Sequence, residues 1–171
     1  KADLFDRRLR VNVAAYMRRL SNQQVDFQNP AFISNTETVN APEKRKFKGV
    51  EADITLVPVR GLSLSANYVY TDAPPTPVKN VFTGVIEQSQ SAFTPKHAGS
   101  FSADYVFPAF SFGELRAHLG VDTAGDYIPN GTVTVKADKA LVVTGRLTLG
   151  AINLGGGELE VAGWGKDVTN T

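Results

Sequence analysis

The chain has two histidines, His97 and His118, and no cysteine. A transition-metal centre needs three or four nitrogen, sulfur or carboxylate donors at close spacing. Neither histidine has a carboxylate cluster at such spacing, so no metal centre and no cofactor is expected, and His118 reads as a polar, water-facing residue. Glu51 and Asp53 lie two apart on one side of an extended segment. Such a pair does acid–base work only in a cleft that separates its pKa values; without one it lines a wetted wall, and that is the expectation here. The run Gly155, Gly156, Gly157 lacks the following Lys-Ser/Thr and the helix that a phosphate-cradling loop requires, so it reads as a turn. Tyr68, Tyr70, Tyr105, Phe107 and Trp164 could form an aromatic binding surface, but toward strand ends they read as the rows that mark a membrane interface. No residue is therefore assigned a catalytic, metal, cofactor or ligand-binding role, and no enzyme is expected.

The elements that position these residues repeat one plan, clearest in residues 46–73. Val50, Ala52, Ile54 and Leu56 fall on one face of a first arm, against Gly49, Glu51, Asp53 and Thr55. On the second arm Leu62, Leu64, Ala66, Tyr68 and Tyr70 oppose Ser63, Ser65, Asn67 and Thr71, with Val69 out of pattern. Period-two alternation is the signature of a strand, and Pro58, Arg60 and Gly61 supply the turn between the arms. Arms of about ten residues exceed the usual soluble strand of about five to six and match the nine to eleven needed to cross a bilayer at a tilt.

The same alternation recurs at Leu9 to Met17, Phe101 to Phe107, Leu115 to Val121, Leu141 to Leu149 and Leu159 to Gly163, while Ala2 to Leu4 reads as the tail of a preceding strand. Connections alternate in length: short at Asp6, Arg60, Pro108 and Gly156, long after Arg19, Asp72 and Thr123. Within the long ones, Gln24 to Phe27 and Thr38-Val39 are extended patches. The stretch 72–94, with Pro74, Pro75, Pro77 and Gly84, shows little periodicity and reads as a loop, and Gly125, Pro129, Asn130 and Gly131 break the third. A soluble up-and-down barrel or sandwich has no reason to gather its long connections at one end, whereas outer-membrane barrels do.

The 171 residues suit one domain, 42% hydrophobic and 20% charged, and a net charge of +1 gives no nucleic-acid surface. No apolar run is long enough for a membrane helix, which leaves strands free to cross. Without an initiating methionine or a closing strand, the sequence reads as a piece of a longer protein.

Four further signals lie in order along the chain: Asn40-Ala41 before Gly49-Val50-Glu51-Ala52; the turn from Pro58 to Gly61 before the strand through Tyr70; Thr94-Pro95-Lys96-His97 opening another; and Trp164 through Asn170. Together they resemble the C-terminal barrel part of TonB-dependent outer-membrane receptors, over essentially the whole chain. Asp167 stands where that family commonly has Asn, and Tyr16 to Gln24 departs from its aromatic-rich pattern. The resemblance implies an all-β, antiparallel, up-and-down transmembrane β-barrel segment of about seven long strands, with short periplasmic turns and long extracellular loops. Residues 1–171 would be part of the barrel domain, without plug or closing strand. It further implies the outer membrane of a Gram-negative cell, contact with outer-membrane lipid, and import of a small-molecule nutrient such as an iron-siderophore chelate. Energy would come from the TonB complex through the absent plug. Ligand contacts would fall in residues 29–40, 73–93 or 125–136, since binding residues gather on loops. A soluble β-barrel or β-sandwich binding module, or a passive porin, are the alternatives.

The parity assigns Leu64 and Ala66 to lipid and Ser65 and Asn67 to the lumen. In the intact protein Ala66→Arg should cost about 2–4 kcal/mol or block assembly, the scale for arginine on a lipid face near the midplane, with Ser65→Arg comparatively mild. A fluorophore at Ala66 should be quenched by a lipid-confined quencher and one at Ser65 should not; equal quenching would overturn the face assignment.

Overall fold

The computed structural model describes residues 1–129 and 135–167, and these contain twelve strands and no helix. Asn130, Gly131 and Thr169-Asn170 lie outside the described residues. Eight strands form one sheet: β1 (Ala2–Leu4), β2 (Leu9–Leu20), β5 (Arg45–Leu56), β6 (Leu62–Asp72), β9 (His97–Val106), β10 (Glu114–Ala124), β11 (Ala140–Asn153) and β12 (Glu158–Lys166). They pair antiparallel in that order, so the sheet is an open meander with β1 and β12 at its edges. Seven of the eight are between nine and fourteen residues long, the expected set of long strands plus one tail.

Directly opposed residues in an antiparallel pair share a face, so the register carries parity from strand to strand. One row runs Val11, Ile54, Ala66, Phe101, Val121, Val143; the next runs Leu9, Leu56, Leu64, Ala103, Leu119, Gly145. The other face repeats Arg10, Thr55, Ser65, Ser102, Gly120, Thr144. One face is thus apolar across the sheet and the other polar, with no slip in β2, where Tyr16 to Leu20 pairs in step with Gly49 to Arg45. Val13, Ile54, Phe101, Leu119 and Leu147 of the apolar face are all well exposed, as a lipid-facing wall requires.

Tyr105 and Phe107 stack edge to face near the short-turn end, and Tyr68 and Tyr70 sit beside His97 near the other end. From His97 to Phe107 the strand rises about 34 Å at ~3.4 Å per residue. Tilted as barrel strands are, that is about 25 Å of height, the span of an apolar band between aromatic girdles. Trp164 does not belong to these rows. It pairs with Arg146 on the polar face at mid-strand, because its parity is opposite to that of Leu147 and Gly163. Its expected place in the interface girdle is therefore corrected to the lumen side.

The turns show local physics at two glycines. Gly61 closes the β5–β6 hairpin at φ +87° while its carbonyl accepts from Val106 N–H at 2.8 Å, and a Cβ there would run into the Val106 carbonyl. Gly49 sits opposite Tyr16, whose ring lies over it, and the Tyr16 hydroxyl meets Thr71 Oγ1 at 3.0 Å on the far side. The smallest residue thus makes room for a side chain that spans three strands. At Asp167 the backbone takes φ +56°, a conformation that Asn and Asp both tolerate better than other side chains.

Gly49→Ala should displace Tyr16 and cost about 1–3 kcal/mol, the usual scale for overpacking. Gly145→Ala should be close to neutral, since a Cβ at Gly145 meets nothing within 4 Å. Urea midpoints of the two variants in the folded barrel check this contrast.

Candidate functional site

An antiparallel meander alternates its connections between two ends, so the three long ones leave the sheet at the same end. The first, where the sequence shows two extended patches, and the second, which reads as loop, each contain a β-hairpin. In the first, β3 (Gln24–Gln28) pairs with β4 (Thr36–Asn40), joining the two extended patches as one hairpin. In the second, β7 (Thr76–Lys79) pairs with β8 (Ile86–Ser89). Pro77 fits because β7 is in a two-stranded ribbon, where a missing N–H donor is tolerated. Asn80 shapes its turn: the side-chain oxygen accepts from Phe82 N–H at 2.9 Å and the side-chain nitrogen donates to Glu87 Oε1 at 2.7 Å.

These two hairpins share a buried apolar cluster. Val25, Phe27, Ala41 and Val78 are each at most 5% exposed, with Val39 and Phe82 packed on them. Burying a side chain of this size stabilises by about 1.5–3 kcal/mol. Arg45, the first residue of β5, is the most buried large side chain among the described residues, at 1% exposure. Its guanidinium donates to Thr76 Oγ1 at 3.1 Å, to Ser91 Oγ at 2.9 Å, and to the carbonyl and hydroxyl of Ser89. A fork of five donors suits this task as no ammonium would. The third connection joins through Phe93, whose N–H donates to the buried Ile128 carbonyl at 2.8 Å and whose ring lies 5.9 Å from that of Tyr127. There Lys136 donates to Asp126 at 2.7 Å and holds its carboxyl below the ordinary carboxylate range.

The long connections also carry exposed apolar side chains: Phe32 and Ile33 at the β3–β4 tip are 69% and 78% exposed, and Val81, Val85, Ile86 and Phe93 are exposed as well. A groove of about 510 Å³ runs between the hairpins, lined by Val39, Asn40, Pro42, Val78, Lys79, Asn80, Val81 and Gly84. Apolar walls with a few amides and one cation suit an organic small molecule with polar edges. Sequence reading named residues 29–40, 73–93 and 125–136 as stretches for ligand contacts; it did not single out Arg45, nor Thr76, Ser89 and Ser91 within the second stretch, as a hydrogen-bonded clamp. No local pattern marks a buried arginine, and prolines hide β7.

The other sequence candidates are scattered. His118 faces the lumen side and meets Asp104 at 2.7 Å, while His97 faces outward and meets the Tyr68 hydroxyl at 2.7 Å. Among the described residues no group of three metal-ligating side chains occurs. Asp53 accepts from Asn67 at 2.6 Å, and Glu51 is exposed between Ala14 and Val69. Gly155 to Gly157 form the β11–β12 turn, with Gly155 N–H capped by Asn153 at 2.8 Å. The lumen face also holds a charged recess of about 420 Å³. There Arg116 of β10 reaches Glu160 of β12 across β11, and a Cβ on Gly150 would come within 2.8 Å of Arg116 and 3.1 Å of Glu160.

Arg45→Met should leave the Thr76 and Ser89 acceptors unsatisfied, at about 1–3 kcal/mol for such buried groups, while the eight-stranded sheet stays intact. Hydrogen exchange should then accelerate at the Val78 and Ser89 amides and remain slow at Ala66. Unchanged protection of β7 and β8 would remove the clamp role.

The comparisons with known proteins agree with this architecture. No curated protein matches the sequence. Among solved structures, the fold is similar to BauA, the ferric preacinetobactin receptor from Acinetobacter baumannii, at a TM-score of 0.67 and 12% identity. The match covers 95% of this chain and 23% of that one, so the present chain spans about a quarter of the relative's length. The family described as TonB dependent receptor-like, beta-barrel, matches residues 1–164. With its meander wall, its single apolar face and its long connections gathered at one end, the chain belongs to the TonB-dependent receptor β-barrel family.

Proposed function

We propose that residues 1–171 are part of the barrel domain of an outer-membrane active-transport receptor, with plug and closing strand supplied by sequence outside this chain. The observation that carries the reading is the folded layer of long connections at one end of a lipid-compatible wall. Its exposed tips and groove offer an organic chelate apolar contact and a few polar anchors. A layer built on β3–β4 and β7–β8 and pinned by Arg45 holds those contacts in fixed geometry, which reduces the ordering cost of binding. The long connections face the outside and the short turns the periplasm. The imported nutrient is a small iron chelate of the class named for BauA, and the TonB complex drives release into the lumen through the plug. Wall and loops, not catalysis, are this segment's contribution.

In cells carrying the full receptor, an epitope inserted at Lys79 should be reached by antibody and one at Arg60 should not; the reverse would invert the topology. Uptake of a labelled iron chelate should require TonB while surface binding should not. Uptake independent of TonB would favour the passive porin. Val81→Asp with Ile86→Asp should weaken chelate binding about tenfold or more, as charge placed against apolar ligand surface does, without loss of assembled receptor.

A further inference from the structure

On the polar face Arg10 pairs with Asp3 at 2.7 Å and Arg116 and Arg146 with Glu160, while Arg18 and Lys166, exposed on the same face, make no ion pair among the described residues. On the apolar face, parity continues past Ala15 and Val50 to Met17 opposite Lys48 and Arg19 opposite Lys46. All three cations are exposed, and none makes an ion pair among the described residues. Asp72 stands opposite Lys48 without pairing with it. Lys96, also exposed, reaches the same side, its ammonium 5.8 Å from the centre of the Tyr70 ring. Like charges directly opposed across strands are destabilising, so Arg19 beside Lys46 calls for an anion at that level.

The level narrows the anion. These cations stand just beyond Tyr68, Tyr70 and His97, where the apolar band meets water on the end that carries the long connections. A lipid whose acyl chains lie on Val50, Ile54 and Phe101 presents its headgroup there. Basic residues with long apolar stems reach such a headgroup by extending along the wall. We propose that Arg19, Lys46, Lys48 and Lys96 form a phosphate-binding row that holds the phosphorylated headgroup of an anionic lipid on the shelf made by Tyr68, Tyr70 and His97. The proposal rests on the barrel-wall reading above.

The test uses the full receptor, titrated in detergent with bisphosphorylated lipid A and followed by native mass spectrometry. Replacing Arg19, Lys46, Lys48 and Lys96 together by Gln should weaken lipid binding tenfold or more, the scale expected when several headgroup-facing cations are lost. Arg7→Gln with Arg8→Gln and Arg60→Gln, at the opposite end, should leave it unchanged, and Lys46→Arg with Lys48→Arg should retain it. Binding unaltered in the fourfold variant overturns the proposal, as does equal competition by free inorganic phosphate, which would make the row a small-anion site. Should the fourfold variant fail to assemble, wild-type binding must fall steeply between about 0.05 and 0.5 M salt, because screening shortens the reach of each charge; a flat response overturns the idea. Quenching at Ala66 but not Ser65 in the same preparation keeps the barrel wall standing if lipid binding fails. Quenching at both removes the wall and the lipid row together.

Discussion

The antiparallel register of the eight-stranded sheet is the constraint on which the rest depends. Each pair fixes the face of its neighbour's residues, so a parity choice made at Ile54 and Ala66 is transmitted to Val11 on one side and to Val121 and Val143 on the other. A one-residue slip at any interface would turn a whole strand's apolar set toward the lumen. In a membrane that error is severe, since charged groups meet hydrocarbon and unpaired backbone finds no water. The register is therefore held by more than ladder bonds. Tyr16 across Gly49 to Thr71 locks three strands at the long-connection end, and Gly61 against Val106 locks another three at the short-turn end. At the bulge in β11, Ala151 adopts φ +53° and the register steps between Leu149 and Ile152.

The meander also decides where binding surface can form. Because the long connections leave at one end, chain 21–44 and chain 73–96 fold against each other, and Phe93 ties the second of them to Ile128 of the third connection. Their solution is a small satellite core, Val25, Phe27, Ala41 and Val78, set above the wall. Arg45 joins the two orders of structure. Its backbone belongs to β5, paired with Leu20, while its side chain satisfies acceptors of the β7–β8 segment. A buried guanidinium is costly unless its donors are filled, so the clamp specifies one arrangement of the hairpins.

On the polar face Arg10 meets Asp3 of the next strand, and Gly150 keeps the space over β11 in which Arg116 and Glu160 meet, while Arg18 and Lys166 make no ion pair among the described residues. These pairs are exposed and contribute little to stability; their role is to keep the wall polar and its charges mutually balanced. Outward charges stop where the apolar band begins, and above it they stand unpaired beside tyrosines.

Much of this was written locally. Alternation in 46–73 dictated the strands, their length and their two faces, because a period of two is a property of each strand alone. Pro58 and Gly61 dictated the turn for the same local reason. The order of short and long connections then dictated which end carries the loops. What the sequence could not settle lies between segments. Gln24 to Phe27 and Val39 showed as isolated extended patches, and only their pairing across an intervening turn made a hairpin with a buried face. Thr76 to Lys79 was hidden by Pro74, Pro75 and Pro77, whose local signal is loop although an edge ribbon accepts them. Trp164 looked like an interface aromatic by type although its parity in the strand was that of the polar face, and register with Arg146 fixed it on the lumen side. Arg45 looked like one cation among several at a strand start, and it became the clamp because two chain segments, 31 and 44 residues onward, brought Thr76 and Ser89 to its donors. Composition and period fix what each strand is; which distant polar groups meet depends on the chain's path, and that is set only when the sheet has closed its register.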